Sequence, residues 1–365
     1  MDYSNIKFER DTKNVDFYKT LQKKVRKHFK DTNSSKYGNG SMVFKSIFMI
    51  ALYLVPFILI LTVVDSVWLS FVMWILMALG MSGIGLSIMH DANHGAYSKN
   101  KYVNNFMGDL ISVVGGSDSM WRIQHNVLHH TYTNVSGMDE DIDPGSVLRF
   151  SPHEERKPFH KYQHYYAWFL YGLMTILWCT VKDFKQAIRY KKLGLTKTQG
   201  ASFSRILSKI VVHKVLYHAI FLVLPLIFAP VAWYIVVIGF LLMHFITGVI
   251  LGLIFQSAHV VPSSNYPLPD ETGNIKADWA VSQLINTCNF APDSKILSWY
   301  VGGLNFQVEH HLFPNICHVH YKKISKIVRE TAEEFGLPYN SEKTFGSAIK
   351  SHAMMLKKLG RQDEL

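Results

Sequence analysis

Long apolar runs constrain the fold of this chain more than any other feature. Two runs, 46–64 and 67–89, are separated only by Asp65 and Ser66. Two more, 210–229 and 231–257, meet at Pro230, and the last contains no Lys, Arg, Asp or Glu. A helix rises about 1.5 Å per residue, so each run is long enough to cross a hydrocarbon layer about 30 Å thick. The sequence therefore predicts an all-α integral membrane protein with four transmembrane helices in two hairpins.

The charge distribution predicts the orientation of these helices. The formal net charge is +11, and the basic clusters all lie outside the hairpins, on what would be one side: Lys23, Lys24, Arg26, Lys27 and Lys30, then Lys191 and Lys192, then Lys322, Lys323 and Lys326. Positive charge favours the cytoplasmic side, where we expect both termini. Such a surface suits anionic lipid, a phosphate-bearing substrate or an acidic protein partner. We expect no nucleic-acid partner.

The segments outside the spans are predicted to be interfacial or cytoplasmic. The first apolar run begins only at Ser46 and is too long for a signal-peptide core, so we expect no segment to be removed. Within 14–30, apolar residues recur every four positions among lysines, which predicts a basic amphipathic helix that could lie on the membrane surface: Phe17, Leu21, Val25 and Phe29. The aromatic stretch 162–181 is flanked by charges and histidines and is interpreted as interfacial or half-buried, with a fifth span as the alternative.

Two further helices are predicted near the C-terminus, at 321–335 and 341–359, with Gly336 and Gly360 as their caps. The chain thus divides into an N-terminal helix and linker (1–45), a membrane domain (46–320) and C-terminal cytoplasmic helices (321–365). No repeat of solenoid period is visible.

Seven of the 18 histidines fall into three clusters, which we expect on the cytoplasmic side of the membrane: His90 and His94, then His125, His129 and His130, then His310 and His311. Gln307 stands one turn before the last pair. On an α-helix His125 and His129 would lie on one face, about 6 Å apart along the axis. His130 would be rotated by roughly 100° from His129, so two neighbouring metal ions would be needed to use all three rings.

Seven imidazoles exceed the three protein ligands of a catalytic zinc site, so they predict a di-metal site in a cytoplasmic helical cap, with about four ligands per ion. His259, in Gln256-Ser-Ala-His259, is a candidate eighth ligand. Imidazole binds iron, copper, zinc and nickel, so the donor type leaves the metal open. The odd number and spacing of Cys179, Cys288 and Cys317 indicate neither a disulfide framework nor a thiolate site.

Other histidines have no second histidine at a ligand-like spacing in the sequence, and we assign them no role: His153, His160, His164, His213, His218, His244 and His352. His318 and His320 stay undecided. The stretch His90-Asp-Ala-Asn-His94 also imitates the H-E-x-x-H zinc helix, with Asp91 in the position of the base. A zinc-dependent membrane hydrolase or a receptor-like protein is therefore an alternative.

Each cluster lies in a specific sequence motif: His90-Asp-Ala-Asn-His-Gly, Trp121-Arg-Ile-Gln-His-Asn-Val-Leu-His-His-Thr-Tyr-Thr-Asn134 and Gly302-Gly-Leu-Asn-Phe-Gln-Val-Glu-His-His-Leu-Phe-Pro314. These motifs, in this order around two pairs of apolar runs, resemble the histidine boxes of membrane fatty acid desaturases. Gln307, in place of a leading histidine, is similar to the front-end branch, which inserts a double bond between an existing one and the carboxyl end. This chain has no H-P-G-G haem motif, as in the bacterial linoleoyl-CoA desaturase-like members.

The resemblance implies a di-iron centre, O2 as co-substrate and two electrons from a separate ferredoxin, rubredoxin or cytochrome b5-like donor. It implies an acyl-CoA or acyl-lipid substrate and membrane lipid as surroundings. The histidines of the three clusters are the candidate ligands of these metals, with His259 as a candidate eighth: His90, His94, His125, His129, His130, His310 and His311. Candidate residues that orient or join them are Gln307, Asp91, Asn126, Glu309, the acidic loop Asp139–Asp143, Thr131 and Asn134. Trp121, Trp299 and Tyr300 are candidate walls of an acyl tunnel. A di-iron fatty acyl or alkyl hydroxylase would share the boxes and is the second alternative.

Overall fold

A computed structural model describes residues 6–9 and 16–362, which form a mostly helical protein. Its residues belong to two compact units. Unit 1 draws on 1–38, 124–167 and 254–365, and unit 2 on 39–123 and 168–253. The segment around the first predicted helix and the C-terminal helices, which flank the membrane domain in sequence, therefore belong to the same unit.

The α-helices, in chain order, are α1 (Phe17–Asp31), α2 (Gly40–Thr62), α3 (Val67–Gly83), α4 (His90–Asn93), α5 (Lys101–Val113), α6 (Asp118–Trp121), α7 (Gln163–Leu177), α8 (Asp183–Lys192), α9 (Phe203–His218), α10 (Leu224–Phe228), α11 (Trp233–His259), α12 (Trp279–Ile285), α13 (Lys295–Tyr300), α14 (Gln307–Leu312), α15 (Tyr321–Glu334) and α16 (Phe345–Leu359). Four π-helical segments continue these helices: Ile84–Met89, Arg122–His129, Trp178–Lys182 and Ala219–Val223.

Short 3-10 turns and strands complete the described structure. The 3-10 turns are Glu140–Ile142, Gly145–Val147, Pro158–Tyr162, Leu195–Gln199 and His318–His320. Strand β1 (Lys7–Phe8) pairs in parallel with β2 (Asn274–Ile275), and β3 (Asn289–Phe290) pairs in parallel with β4 (Ser341–Glu342).

Four helices of the described chain are long and apolar enough to cross a membrane: Gly40–Thr62, Val67–Asn93, Phe203–Phe228 and Trp233–His259. The four predicted apolar runs fall within these helices or overlap them, although α2 and α9 begin several residues earlier than the runs. Their outer surfaces are apolar, since Ile47 of α2 and Ile227 of α10 are 65% and 64% exposed. Exposed apolar surface on this scale is characteristic of lipid contact rather than of a surface in water. The stretch 163–192 is not among the four.

Within unit 2, α2 and α3 approach each other closely at Gly80. A Cβ atom on Gly80 would lie 2.6 Å from the backbone nitrogen of Tyr53 and 2.8 Å from the carbonyl carbon of Leu52. Those are backbone atoms, which cannot swing aside as a flexible side chain can. The absence of a side chain at Gly80 is therefore what permits this helix contact.

A buried cation lies in the third long apolar helix, at Lys214, which is 6% exposed. Its Nζ atom donates to the carbonyl oxygens of Gly115 and Trp178, both at 2.6 Å, and to the carboxylate of Asp183. A charge within an apolar helix needs such partners, because an isolated ammonium in a low-dielectric interior is strongly unfavourable. The two carbonyl groups and one carboxylate explain how an otherwise apolar segment contains a lysine.

Helix α1 of unit 1 has the predicted amphipathic pattern, and its described part begins at Phe17. Its apolar face does not lie open to a membrane. Phe17, Leu21 and Val25 are at most 2% exposed and join a core with residues of α12, α14 and α15. The expectation of a helix on the membrane surface is therefore wrong for this face, because protein side chains cover it.

The C-terminal part of unit 1 differs from the predicted helices in one place. Helix α15 ends close to the predicted boundary at Gly336, whose φ is +65°, but residues 341 and 342 form strand β4 and α16 starts only at Phe345. The end of α16 is held by Arg149, which is 2% exposed and donates to the carbonyl oxygens of Leu359 and Gln362 at 2.6 and 2.7 Å.

The replacement Gly80→Ala should destabilise the protein, because the added methyl group meets backbone atoms of α2. Overpacking of this kind costs about 1–3 kcal/mol. The measurement is the thermal unfolding midpoint of the purified protein in detergent. Gly40→Ala is the matched control, since a Cβ atom there meets nothing within 4 Å. Equal midpoints for the two variants would show that the contact is not tight.

Candidate metal centre

The second histidine cluster lies on a π-helical segment rather than an α-helix. The backbone N–H of His130 donates to the carbonyl oxygen of His125 at 3.0 Å, five residues back. This wider turn brings His125 and His130 to one side, with their Nε2 atoms 3.3 Å apart. The geometry expected for a regular α-helix is wrong here. A single side of this segment can therefore present two rings that an α-helix would separate.

One group of rings in unit 1, called the first histidine group, comprises His125, His130 and His310. The Nε2 atoms of His130 and His310 are 3.0 Å apart, although 180 residues separate them in sequence. All three side chains are buried, with His310 at 0% exposure. Nitrogen atoms that converge so closely in a buried site are arranged as the ligands of one ion are.

A second histidine group in unit 1 comprises His129, His259 and His311. One ring nitrogen from each of the three lies within 4.8 Å of the others, and all three residues are buried. Within the described chain, Nε2 of His129 and both ring nitrogens of His259 have no hydrogen-bond partner. Leaving buried polar atoms unpaired costs free energy. A bound metal ion would compensate for that cost, so these residues fit a metal.

Carboxylates of the acidic loop hold the outer nitrogens of two of these rings. Nδ1 of His129 donates to both oxygens of Asp139 at 3.0 Å, and Nδ1 of His125 donates to Asp141 at 3.1 Å. Asp139 in turn accepts from the backbone N–H groups of Asn134 and Asp141, each at 2.9 Å. A proton held on Nδ1 leaves the lone pair on Nε2, which is the atom that a metal would bind.

These contacts shift the pKa values of His129 and Asp141. Burial alone would lower the pKa of His129, but the carboxylates of Asp139 and Asp141 outweigh burial and raise this pKa to about 9. Burial also opposes ionisation of Asp141, yet His129 and His125 hold the pKa of Asp141 well below its usual range. The acidic loop therefore brings negative charge to the back of the rings, where it increases their strength as ligands.

Two rings are held by residues that the sequence did not identify. Nδ1 of His311 donates to Oε1 of Gln283 at 2.8 Å, and that oxygen also accepts from the hydroxyl of Thr133 at 2.8 Å. Nδ1 of His310 lies 3.2 Å from the hydroxyl of Tyr321. Gln283 and Tyr321 stand outside the histidine motifs, and no spacing rule points to them. Thr133 lies within the second motif, between the candidate residues Thr131 and Asn134.

The sequence cluster formed by His90 and His94 belongs to unit 2. The rings of His90 and His94 are 4.8 Å apart, and each packs edge-on against Trp121, at 5.5 and 5.6 Å between ring centroids. Asp91 is buried, and its carboxylate lies 3.8 Å from Nδ1 of His90. Trp121, selected as a tunnel wall, is thus 8% exposed and in contact with both rings of this cluster.

The other selected residues have varied surroundings in unit 1. Gln307, the first residue of α14, is buried. Both oxygens of Glu309 accept hydrogen bonds, from Asn289 at 2.8 Å and Tyr339 at 2.9 Å, and burial raises the pKa of Glu309 to about 7. Three further selected residues are half-buried, on the π-helical segment and on α13: Asn126, Trp299 and Tyr300.

Several histidines outside the groups have ordinary protein partners. In unit 2, His244 contacts the hydroxyls of Tyr217 at 2.8 Å and Thr175 at 3.2 Å. In unit 1, His352 donates to the carbonyl oxygen of Val260 at 2.8 Å, and His320 contacts that of Tyr37 at 3.1 Å. These contacts are typical of buried histidines that serve the fold.

Comparison with known proteins identifies the family of this chain. The family model described as "Fatty acid desaturase" matches residues 66–343. An sn-1 linoleoyl-lipid 6-desaturase from Arthrospira platensis is 33% identical over 96% of this chain and 95% of its own length. A protein of the same name from Synechocystis sp. is 34% identical over 98% of both. An acyl-lipid (8-3)-desaturase from Physcomitrium patens is 35% identical over 96% of this chain and 73% of its own length. The resemblance seen in the motifs is confirmed: the chain belongs to the fatty acid desaturase family of membrane oxidoreductases.

Proposed function

We propose that this protein is a front-end acyl-lipid desaturase that introduces a cis double bond between an existing double bond and the carboxyl end of a fatty acyl chain. The observation that carries the proposal is the pair of buried histidine groups in unit 1, where ring nitrogens converge. Among the described residues, Nε2 of His129 and both ring nitrogens of His259 have no hydrogen-bond partner there. Family membership adds the reaction class.

Two iron ions are the proposed metals, and when bound they supply the O2-dependent oxidation that removes hydrogen from an unactivated methylene. The proposed ligands are the histidines of the three motifs and His259: His90, His94, His125, His129, His130, His259, His310 and His311. Gln307 is proposed to assist them. Neutral imidazoles form this set, in contrast to the Glu-rich sites of soluble di-iron bundles.

The residues around the rings have separate roles in this proposal. Asp139 and Asp141 keep the proton of His129 and His125 on Nδ1, which leaves Nε2 free for the ion. Gln283 and Tyr321 orient His311 and His310 in the same way. Burial of these side chains excludes water, which protects a reactive oxidant from side reactions.

The proposed substrate is an acyl chain esterified in a membrane lipid, because the similar proteins from Arthrospira platensis, Synechocystis sp. and Physcomitrium patens are named as linoleoyl-lipid or acyl-lipid desaturases. An acyl-CoA would present the same methylenes. Trp121, Trp299 and Tyr300 are proposed to line the path of the chain. The electrons are proposed to come from a separate ferredoxin, rubredoxin or cytochrome b5-like protein.

We also propose that the four long helices form two hairpins and that both termini and the histidines face the cytoplasm, in a helical cap. The basic residues of α1, α8 and α15 support this orientation. Trp68 and Trp233, at the first turns of α3 and α11, are 80% and 67% exposed and suit the opposite interface. In this scheme residues 46–320 act as the membrane domain, and residues 1–45 and 321–365 lie in the cytoplasm.

Expression of the chain in a host that is fed linoleate should yield a fatty acid two hydrogens lighter, with the new double bond on the carboxyl side of the existing ones. Gas chromatography with mass spectrometry of derivatised lipids measures both mass and bond position. A product that has gained an oxygen atom would instead indicate a hydroxylase, and an oxygen-independent product would overturn the proposal.

The replacement His129→Ala should abolish desaturation and lower the iron content from about two to about one ion per chain, because it removes one ligand from the second histidine group. Iron is measured by plasma mass spectrometry on the purified protein. His153→Ala is the matched control, since this histidine is exposed, lies outside both histidine groups and contacts the carbonyl oxygen of Tyr266 through its ring. Full iron and turnover in His129→Ala would contradict the ligand assignment.

The replacement Asp139→Asn should weaken iron retention or turnover by about 10–100-fold while the protein still folds, since an amide holds the Nδ1 proton of His129 less strongly. Titration of the purified protein with a chelator measures the retention. Asp143→Asn, in the same loop but exposed, is the control. If both variants retain iron equally, Asp139 does not orient a ligand.

A further inference from the structure

A cluster of lysines covers one end of the helix pair α1 and α15 in unit 1. The ring of Phe29 contacts the ring of His320 at 5.2 Å, and the N–H of Cys317 donates to the carbonyl oxygen of Lys36 at 2.9 Å. These contacts bring the last turns of α1 and its following loop to the first turns of α15. The basic patch defined by this end comprises Lys27, Lys30, Lys36, Lys322, Lys323 and Lys326.

The balance of charge at this end is positive. Five of the six lysines are exposed and Lys36 is half-buried. The acidic residues of this end are Asp31 and Glu330, the latter 3.9 Å from Lys326. Glu334 lies at the other end of α15, where it pairs with Lys24 at 2.6 Å. The patch therefore presents more positive charge than its neighbours neutralise.

The patch offers charge without an apolar surface. The apolar residues of α1 and α15 are turned into the core, among them Leu21, Val25, Ile324 and Val328. Within the described residues 16–38 and 315–340, no large hydrophobic side chain is exposed. Helices that lie in a lipid interface bury an apolar face there. The patch therefore offers charge alone, which is the property that steers an acidic protein to its docking surface.

The patch also adjoins, in sequence, a residue that contacts the first histidine group. Tyr321 precedes Lys322 directly, is 1% exposed, and its hydroxyl lies 3.2 Å from Nδ1 of His310. An aromatic side chain thus connects the lysine-bearing helix with a ring of the first histidine group. A surface so placed can bring an external redox protein close to that group without entry into the protein.

We propose that the basic patch is the docking surface for an acidic one-electron carrier protein that supplies the reducing equivalents. The inference rests on the proposed desaturase function. Each turnover removes two hydrogens from adjacent methylenes to form the double bond, and takes up one O2, two electrons and two protons to release two waters. The carrier is oxidised by one electron at each of two visits. Opposite charge steers such encounters and makes their rate sensitive to salt.

The test compares the triple variant Lys322→Glu, Lys323→Glu and Lys326→Glu with a matched control. The control, Lys185→Glu, Lys192→Glu and Lys197→Glu, changes the same charge on exposed residues of unit 2. The iron-loaded, full-length proteins are immobilised in nanodiscs of zwitterionic lipid. The probes are a plant-type ferredoxin and the haem domain of cytochrome b5, both acidic, and binding is measured by surface plasmon resonance at low and high ionic strength.

The expected result is at least about tenfold weaker binding of a probe by the patch variant at low ionic strength, with the salt dependence lost and the control unchanged. In steady-state assays the KM for that probe should rise, while kcat at saturating probe stays the same. Iron content and the unfolding midpoint of each variant establish that it is folded.

Equal binding by the patch variant and the control would overturn the docking assignment, even if the unmodified enzyme makes the double bond. Protection of α15 from hydrogen exchange by anionic lipid, with no protection by either probe, would also overturn it and assign the patch to the membrane. Absence of a double bond in the unmodified enzyme with every reductant would instead refute the proposed function, whatever the binding data.

Discussion

Buried imidazole nitrogens that have no hydrogen-bond partner among the described residues are the strongest physical constraint in unit 1. Nε2 of His129 and both nitrogens of His259 are enclosed without a hydrogen bond in the described chain. A folded protein leaves few buried polar groups unpaired, since each costs about 1–3 kcal/mol. These unpaired nitrogens of the second histidine group would be a liability in a protein without metal. A bound ion would pair them, and metal binding would then contribute directly to the stability of the fold.

The groups that surround the rings also favour metal binding. Asp139 holds His129, Asp141 holds His125, and Gln283 holds His311, each through Nδ1. A proton kept on the outer nitrogen would leave the lone pair of the inner nitrogen for a metal ion. Asp139 is itself held by backbone N–H groups, among them that of Asn134. The acidic loop thus supports the rings through hydrogen bonds, and its charge would balance part of the positive charge that metal ions bring.

The sequence predicted the large features because they depend on composition along short stretches. Four long apolar helices occur where four apolar runs were seen, and the specific wording of the histidine motifs identified the family. The errors were local. The start of α2 at Gly40 and of α9 at Phe203 could not be read from hydropathy, because a helix continues into polar residues once its backbone hydrogen bonds are formed. The burial of Phe17, Leu21 and Val25 against protein, rather than lipid, could not be read from an amphipathic pattern that suits both.

By itself, the sequence determined the number of long apolar helices, the supply of imidazole donors and the family. Only the tertiary structure decided which rings share a side and which groups hold them. The π-helical turn that joins His125 and His130 replaces hydrogen bonds of four-residue spacing with bonds of five-residue spacing, and motif spacing does not distinguish the two. Likewise, His130 and His310 meet across 180 residues, and Gln283 reaches His311 from outside every motif. Hydrophobicity and donor type belong to single residues in order along the chain, whereas proximity between distant segments exists only after folding.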